Sequence, residues 1–211
     1  MADSPISRTT ARLLVAAAAV AGGLLVVGLG WVIYSWQPTI VADPEVAATE
    51  LAQLAPELRV PDDLHPRETV AMEVLFTLPL RGVTLLRDDY GGLVDTGPPD
   101  DLLLVLQMTG PAATNPAMRV EALQTLRGQG PIQTAGFTPV GPPESVTTIV
   151  DDREREAIVT TLARPDRSTV RQAQLLLDAD GGPLVLVLRR PPDRFDVNEI
   201  RRLMESVPWR S

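Results

Sequence analysis

The chain has 211 residues, no cysteine, a single histidine and a formal charge of −8 at neutral pH. This inventory excludes disulfide frameworks, thiol catalysis, thiolate zinc or iron–sulfur centres and lipoprotein attachment, and it leaves no material for a His-rich metal site. All 19 basic residues are arginine and 20 residues are proline, a bias we read as compositional before functional.

The first element in the chain is an apolar run, Leu13 to Ile33, without a charged, amide or proline residue. As a helix rising ~1.5 Å per residue it covers about 30 Å, the thickness of a bilayer's hydrocarbon core. Arg8 and Arg12 precede the run and the next arginine is Arg59, so the positive-inside rule places the N-terminus in the cytoplasm. Trp31, Tyr34 and Trp36 mark the exit level, where amphipathic rings favour the headgroup layer. A cleaved signal peptide is the competing reading. The run exceeds the ~7–15 residues of a signal-peptide core and no clean small-x-small site follows, which favours an uncleaved signal-anchor. Ala18 with Gly22 and Ala19 with Gly23 would permit close helix approach, but no strict G-x-x-x-G motif occurs.

These signals divide the chain into a cytoplasmic tail (1–12), a transmembrane signal-anchor helix (13–36), a juxtamembrane linker (37–48) and an extracytoplasmic α+β domain (49–211). All but two of the 19 basic residues and all but one of the 27 acidic ones lie beyond residue 12, so the outer part is net acidic. That balance and the external location argue against nucleic acid as a partner. The partners expected are the lipid bilayer, through residues 13–36, and a protein.

After Asp43-Pro44 the alanine-rich stretch Glu45 to Leu54 predicts a helix, and Pro56 and Pro61 then break the chain. Val70, Met72, Val74 and Phe76 alternate as in a strand with one buried face, and Arg81 to Arg87 reads as its neighbour. Leu102 to Leu106 and Leu184 to Leu188 are continuously apolar, which suits central strands covered on both faces. Asn115-Pro116 predicts a helix start with an apolar stripe of Val120, Leu123 and Leu126, and Gly128 is a stop. Ser145 to Asp151 and Glu156 to Leu162 are expected to pair across Asp152–Arg155. A second hairpin, Ser168 to Leu177 with Leu184 to Leu188, turns across Asp178–Gly182. The last helix begins at Asp196, with Glu199 completing a capping box and Val197, Ile200, Leu203, Met204 and Val207 on one face. Strands alternating with helices that must pack on a sheet predict an α+β fold, with an antiparallel or mixed sheet covered by helices.

The order of these elements carries a resemblance. A tail, one anchor and a brief helix are followed by Leu58-Arg59-Val60-Pro61-Asp62-Asp63-Leu64-His65-Pro66 leading into the alternating strand. An apolar strand, the Asn-Pro helix, two hairpins and a closing helix after Arg194-Phe195-Asp196 come next. This resembles uncharacterised bacterial single-pass membrane proteins whose outer domain is similar to the αβα sandwich of PsbP-type extrinsic proteins of photosystem II. The resemblance implies a largely antiparallel sheet packed by helices and an accessory, assembly or binding role. It transfers no residue.

Few residues offer chemistry. His65 sits in a proline-bounded turn, and its isolation makes a surface role more natural than catalysis. Ser145, Ser168 and Ser206 lack a nucleophile-elbow motif. Gly91-Gly92 and Gly181-Gly182 sit in acidic turns that would repel phosphate. Asp88, Asp89, Asp95, Asp100 and Asp101 crowd loop 88–101, where a hard cation could bind, but the spacing does not match an EF-hand and reads as a solvated loop. Arg189, Arg190, Arg194, Arg201 and Arg202 form the other charged feature, a candidate anion or partner patch. No cofactor is expected. The sequence thus predicts a non-enzymatic, membrane-anchored accessory or partner-binding domain. The alternative is a small-molecule or ion-binding sensor head with a pocket between sheet and helix.

Overall fold

The computed structural model of the protein describes residues 39–74, 78–90, 99–128, 137–179 and 181–207. The expected tail and anchor (1–36) lie outside these residues. Among the described residues no helix is long and apolar enough to cross a membrane.

The chain runs β1 (Thr39–Val41), α1 (Pro44–Leu54), β2 (His65–Val74), β3 (Leu78–Leu86), β4 (Leu102–Met108) and a single helical turn (Pro111–Thr114). It continues through α2 (Pro116–Gly128), β5 (Thr138–Pro139), β6 (Glu144–Val150), β7 (Arg153–Ala163), β8 (Thr169–Ala179), β9 (Gly182–Arg190) and α3 (Val197–Ser206). The strands join one sheet in the order β1-β2-β3-β4-β9-β8-β7-β5, and β6 also pairs with β7. Every pairing is antiparallel, which decides between the two sheet types that the sequence left open.

β4 and β9 meet in the middle of the sheet although some 70 residues separate them in sequence. Their unbroken apolar sequence follows from having both faces covered: every residue of β9 is buried. Alternation sends Leu184, Leu186 and Leu188 to one face, where they meet Leu103, Val105, Ala173 and Leu175 beneath Ala47 and Leu54 of α1 and Ile200, Leu203 and Met204 of α3. Val185 and Val187 point the other way, to Leu80, Leu106 and Met108. Gly82 lets β3 approach β4 closely, since a Cβ there would lie 2.9 Å from the Leu106 Cα and run into the Val105 carbonyl oxygen.

The helix starts follow the sequence signals. Asp43 Oδ1 accepts from the Glu45 and Val46 amides at 3.0 and 3.2 Å, with Pro44 at the first helical position. Asn115 Oδ1 accepts likewise from Ala117 and Met118. The stripe expected on α2 is corrected at Val120, which is 55% exposed while its neighbour Arg119 is buried. Arg119 donates to Asp178 and to the carbonyls of Ala113 and Ala179, so a charged side chain ties α2 to the β8–β9 hairpin. In α3 only half of the capping box forms. Asp196 accepts from the Asn198 amide at 2.9 Å, while the Glu199 carboxylate is engaged by Arg190. The other end of α3 gains a partner that the sequence did not signal, because buried Arg155 on β7 donates to the Met204 carbonyl near the negative end of the helix dipole.

Both hairpin turns are tighter than the sequence reading placed them. The first turn is Asp151-Asp152, at φ 51° and 59°, and Val150 already pairs with Arg153. Aspartate tolerates this left-handed backbone, and two consecutive positive φ values match the twist of the flanking strands. The charged run Arg153–Arg155 is therefore strand. In the second hairpin β8 and β9 stay paired to Ala179 and Gly182, whose φ of 128° only glycine adopts readily.

Candidate functional site

Arg189 and Arg190 adjoin in β9, so the period of two turns their side chains to opposite faces. The five arginines of the predicted patch are thereby distributed over three environments.

Arg190 enters the layer between the sheet and α3 with its side chain 3% exposed. Its guanidinium reaches Asp63 in the loop before β2 (2.7 and 2.9 Å), Asp101 at the start of β4 (3.1 Å) and Glu199 in the first turn of α3 (2.8 and 3.2 Å). Arg194 donates to Asp63 and Asp101, and Arg87 at the end of β3 lies 3.7 Å from Asp101. Three guanidinium groups and three carboxylates thus balance in charge. Burial disfavours a charged Arg190, but the hydrogen bonds it donates to its carboxylate partners outweigh this and hold its proton more firmly than usual. Hydrogen bonding to Arg190 holds the Asp63 carboxyl below the ordinary carboxylate range, against a smaller opposing effect of burial. Beside this network Arg171 stacks on Phe195, 4.5 Å from the ring centre, and pairs with Glu144 at 2.6 Å.

On the opposite face Arg189 is 1% exposed. It donates to Gln172 Oε1 at 2.7 Å and to the Pro99 carbonyl at 3.3 Å, and it lies 4.3 Å above the Phe137 ring. Burial there pushes its pKa down to about 10. Arg201 and Arg202 are exposed on α3, the first bonded to Asn198 and the second 3.7 Å from Asp196. The structure brings Arg190 and Arg194 together and sets Arg189, Arg201 and Arg202 apart from them.

The acids of loop 88–101 are likewise engaged by arginine wherever they are described. Asp88 pairs with Arg67 (2.7 Å), Asp89 with Arg87 (3.0 Å), Asp100 with Arg164 (2.7 Å) and Asp101 with the Arg190 network. Asp95 and residues 91–98 lie outside the described residues, and among the described residues no group of acids and histidine could hold a metal. His65, half-exposed at the start of β2, faces Asp88 at 3.6 Å. The serine hydroxyls point elsewhere: Ser145 to Glu156, Ser168 to Asp166 and Ser206 to the Leu203 carbonyl.

Large apolar side chains are also exposed among the described residues. Val140 (49%) and Ile149 (75%) are exposed at the β5–β6 edge, and Met118 (39%) and Val120 (55%) on α2. Sequence reasoning found the arginines but not their partners Asp63, Asp101 and Glu199. The available signal was the Asp62-Asp63 and Asp100-Asp101 doublets preceding β2 and β4.

The chain matches no family model, and neither the curated proteins nor the solved structures contain one significantly similar to it.

Proposed function

We propose that this chain is a membrane-tethered extracytoplasmic domain of the αβα-sandwich type, similar to PsbP-type proteins, that acts without catalysis by binding a protein partner. One observation supports the reading most: the described charged clusters are closed among themselves, whereas large apolar side chains are exposed among the described residues, Ile149 on the β5–β6 edge the most of them at 75%. Buried ion networks of this kind hold elements in register, and exposed apolar side chains beside an open strand edge favour association. The anchor 13–36 would hold the domain near the bilayer with its N-terminus in the cytoplasm.

The test is site-specific photo-crosslinking from positions 120, 140 and 149 of the full chain in native membranes. The reading expects a protein adduct of defined mass from at least one position. Absence of any protein adduct from all three would overturn it.

The sensor-head alternative has an observation of its own. The hydroxyls of Thr84 and Thr160 are buried, at 1% and 3% exposure, without a hydrogen-bond partner among the described residues, on the face that also carries Gln172 and Arg189. A buried polar group without a partner is costly, and a ligand between sheet and helix would relieve it. A small-molecule screen by thermal shift on the full chain separates the readings: a saturable stabiliser whose effect is lost in Thr84→Val favours the sensor head.

A further inference from the structure

We propose that the corner between β1 and α1 rests on the bilayer surface, with Val41 and Val46 set among zwitterionic lipid headgroups. The inference rests on the membrane-anchor reading and names the surface of the domain that meets lipid.

Chain length selects the occupant. Trp36, at the expected exit of the anchor, and Thr39, the first residue of β1, are three residues apart. A chain spans at most ~3.6 Å per residue, so β1 starts within about 10 Å of the anchor's end, and a headgroup layer is itself ~5–8 Å thick. A diffusing partner would have to compete for this corner with a lipid surface that is covalently held beside it in every copy.

The corner is braced. The Asp43 amide donates to the Val41 carbonyl at 3.1 Å, and the Asp43 carboxylate caps α1. β1 pairs with β2 at three positions, and Ala47 and Leu54 bury α1 in the core. Val41 and Val46 are each 48% exposed on this frame, and Ala42 and Pro44 between them are exposed as well. Apolar side chains held so close to a bilayer can leave water for the boundary of the acyl layer.

Charge selects the kind of lipid. Thr39 to Leu54 contains no arginine, so anionic headgroups find no cation in this stretch. Of its three acids, Asp43 caps its own helix and Glu50 lies 3.3 Å from Arg81, which leaves Glu45, next to Val46, to meet the ammonium group of a zwitterionic headgroup. The β6 edge lies seven strand spacings from β1, roughly 30 Å across the sheet, and Ile149 there supplies an aqueous reference.

Because the chain contains no cysteine, one introduced cysteine carries one spin label. The full chain with Val41→Cys, Val46→Cys, Ile149→Cys or, within the anchor, Leu24→Cys is reconstituted in phosphatidylcholine vesicles. Each label is read by its collisions with lipid-soluble oxygen and with a water-soluble nickel chelate. We expect the oxygen-to-nickel ratio to be several-fold higher at 41 and 46 than at 149, highest at 24, and unchanged in about 1 M salt, where ion pairing is screened. With position 24 in lipid, the proposal is overturned if 41 and 46 match 149, if they are closed to both reagents, or if their ratio collapses in salt. The anchor reading would survive each of these results. Free access of nickel to position 24 would overturn both.

Discussion

The middle of the sheet and its β6 edge are built from similar β-branched and aliphatic residues but are finished in opposite ways. At β4 and β9 both faces and both strand edges are occupied, and even the guanidinium groups at the end of β9 are enclosed by carboxylates or by Gln172 and Phe137. At β6 one ladder edge is open among the described residues and Ile149 faces outward. The difference teaches where to look for function. The described arginines of the β9 end serve cohesion, and β6, whose one charged residue is Glu144, exposes Ile149.

The comparison breaks most sharply at Arg190. Arg190→Ala would leave Asp63, Asp101 and Glu199 with an uncompensated charge, and we expect a loss of ~3–5 kcal/mol in urea unfolding of the full chain in detergent. Methionine at the same position should recover part of that loss, because it fills the space without adding charge. In the core beneath it, Leu186→Ala removes a fully buried side chain from the central strand and should cost about 2–5 kcal/mol by the same measurement.

A smaller effect concerns acid. The Asp63 carboxyl sits below its ordinary value in the folded protein, so it contributes stability that is complete above the unfolded value near ~3.9 and is lost as pH falls below it. Unfolding midpoints from about pH 5 downward should therefore decline less steeply in Asp63→Asn than in the parent chain. The smallest effect belongs to the edge: Ile149→Thr should change stability by less than ~0.5 kcal/mol while weakening association. A large stability loss at Ile149, or none at Arg190, would erase the contrast between the two regions.

Much of the fold was legible in the sequence because its signals are local. Continuous apolar runs marked β4 and β9, Asp43-Pro44 and Asn115-Pro116 marked helix starts, and helical spacing marked the buried face of α3. The errors occurred where tertiary partners overrode local pattern. Val120 reads as core until Arg119 is seen to find Asp178, 59 residues away, and Glu199 reads as a cap until Arg190 claims it. The charged run Arg153–Arg155 reads as a loop, yet Asp151 and Asp152 turn the chain two residues earlier. Adjacent arginines at 189 and 190 look like one patch, and only the strand period separates them. The open edge was invisible because no residue type marks an outermost strand. That property belongs to the topology.

The most direct measurement is hydrogen exchange of the full chain, comparing β9 and β6 amides in membranes at native density with the same chain diluted to one copy per detergent micelle. The account predicts that β9 protection is unchanged by dilution, while the outward amides of β6 are protected in membranes and exchange faster by orders of magnitude when alone. Protection of β6 that is the same in both states would contradict an edge completed by a partner.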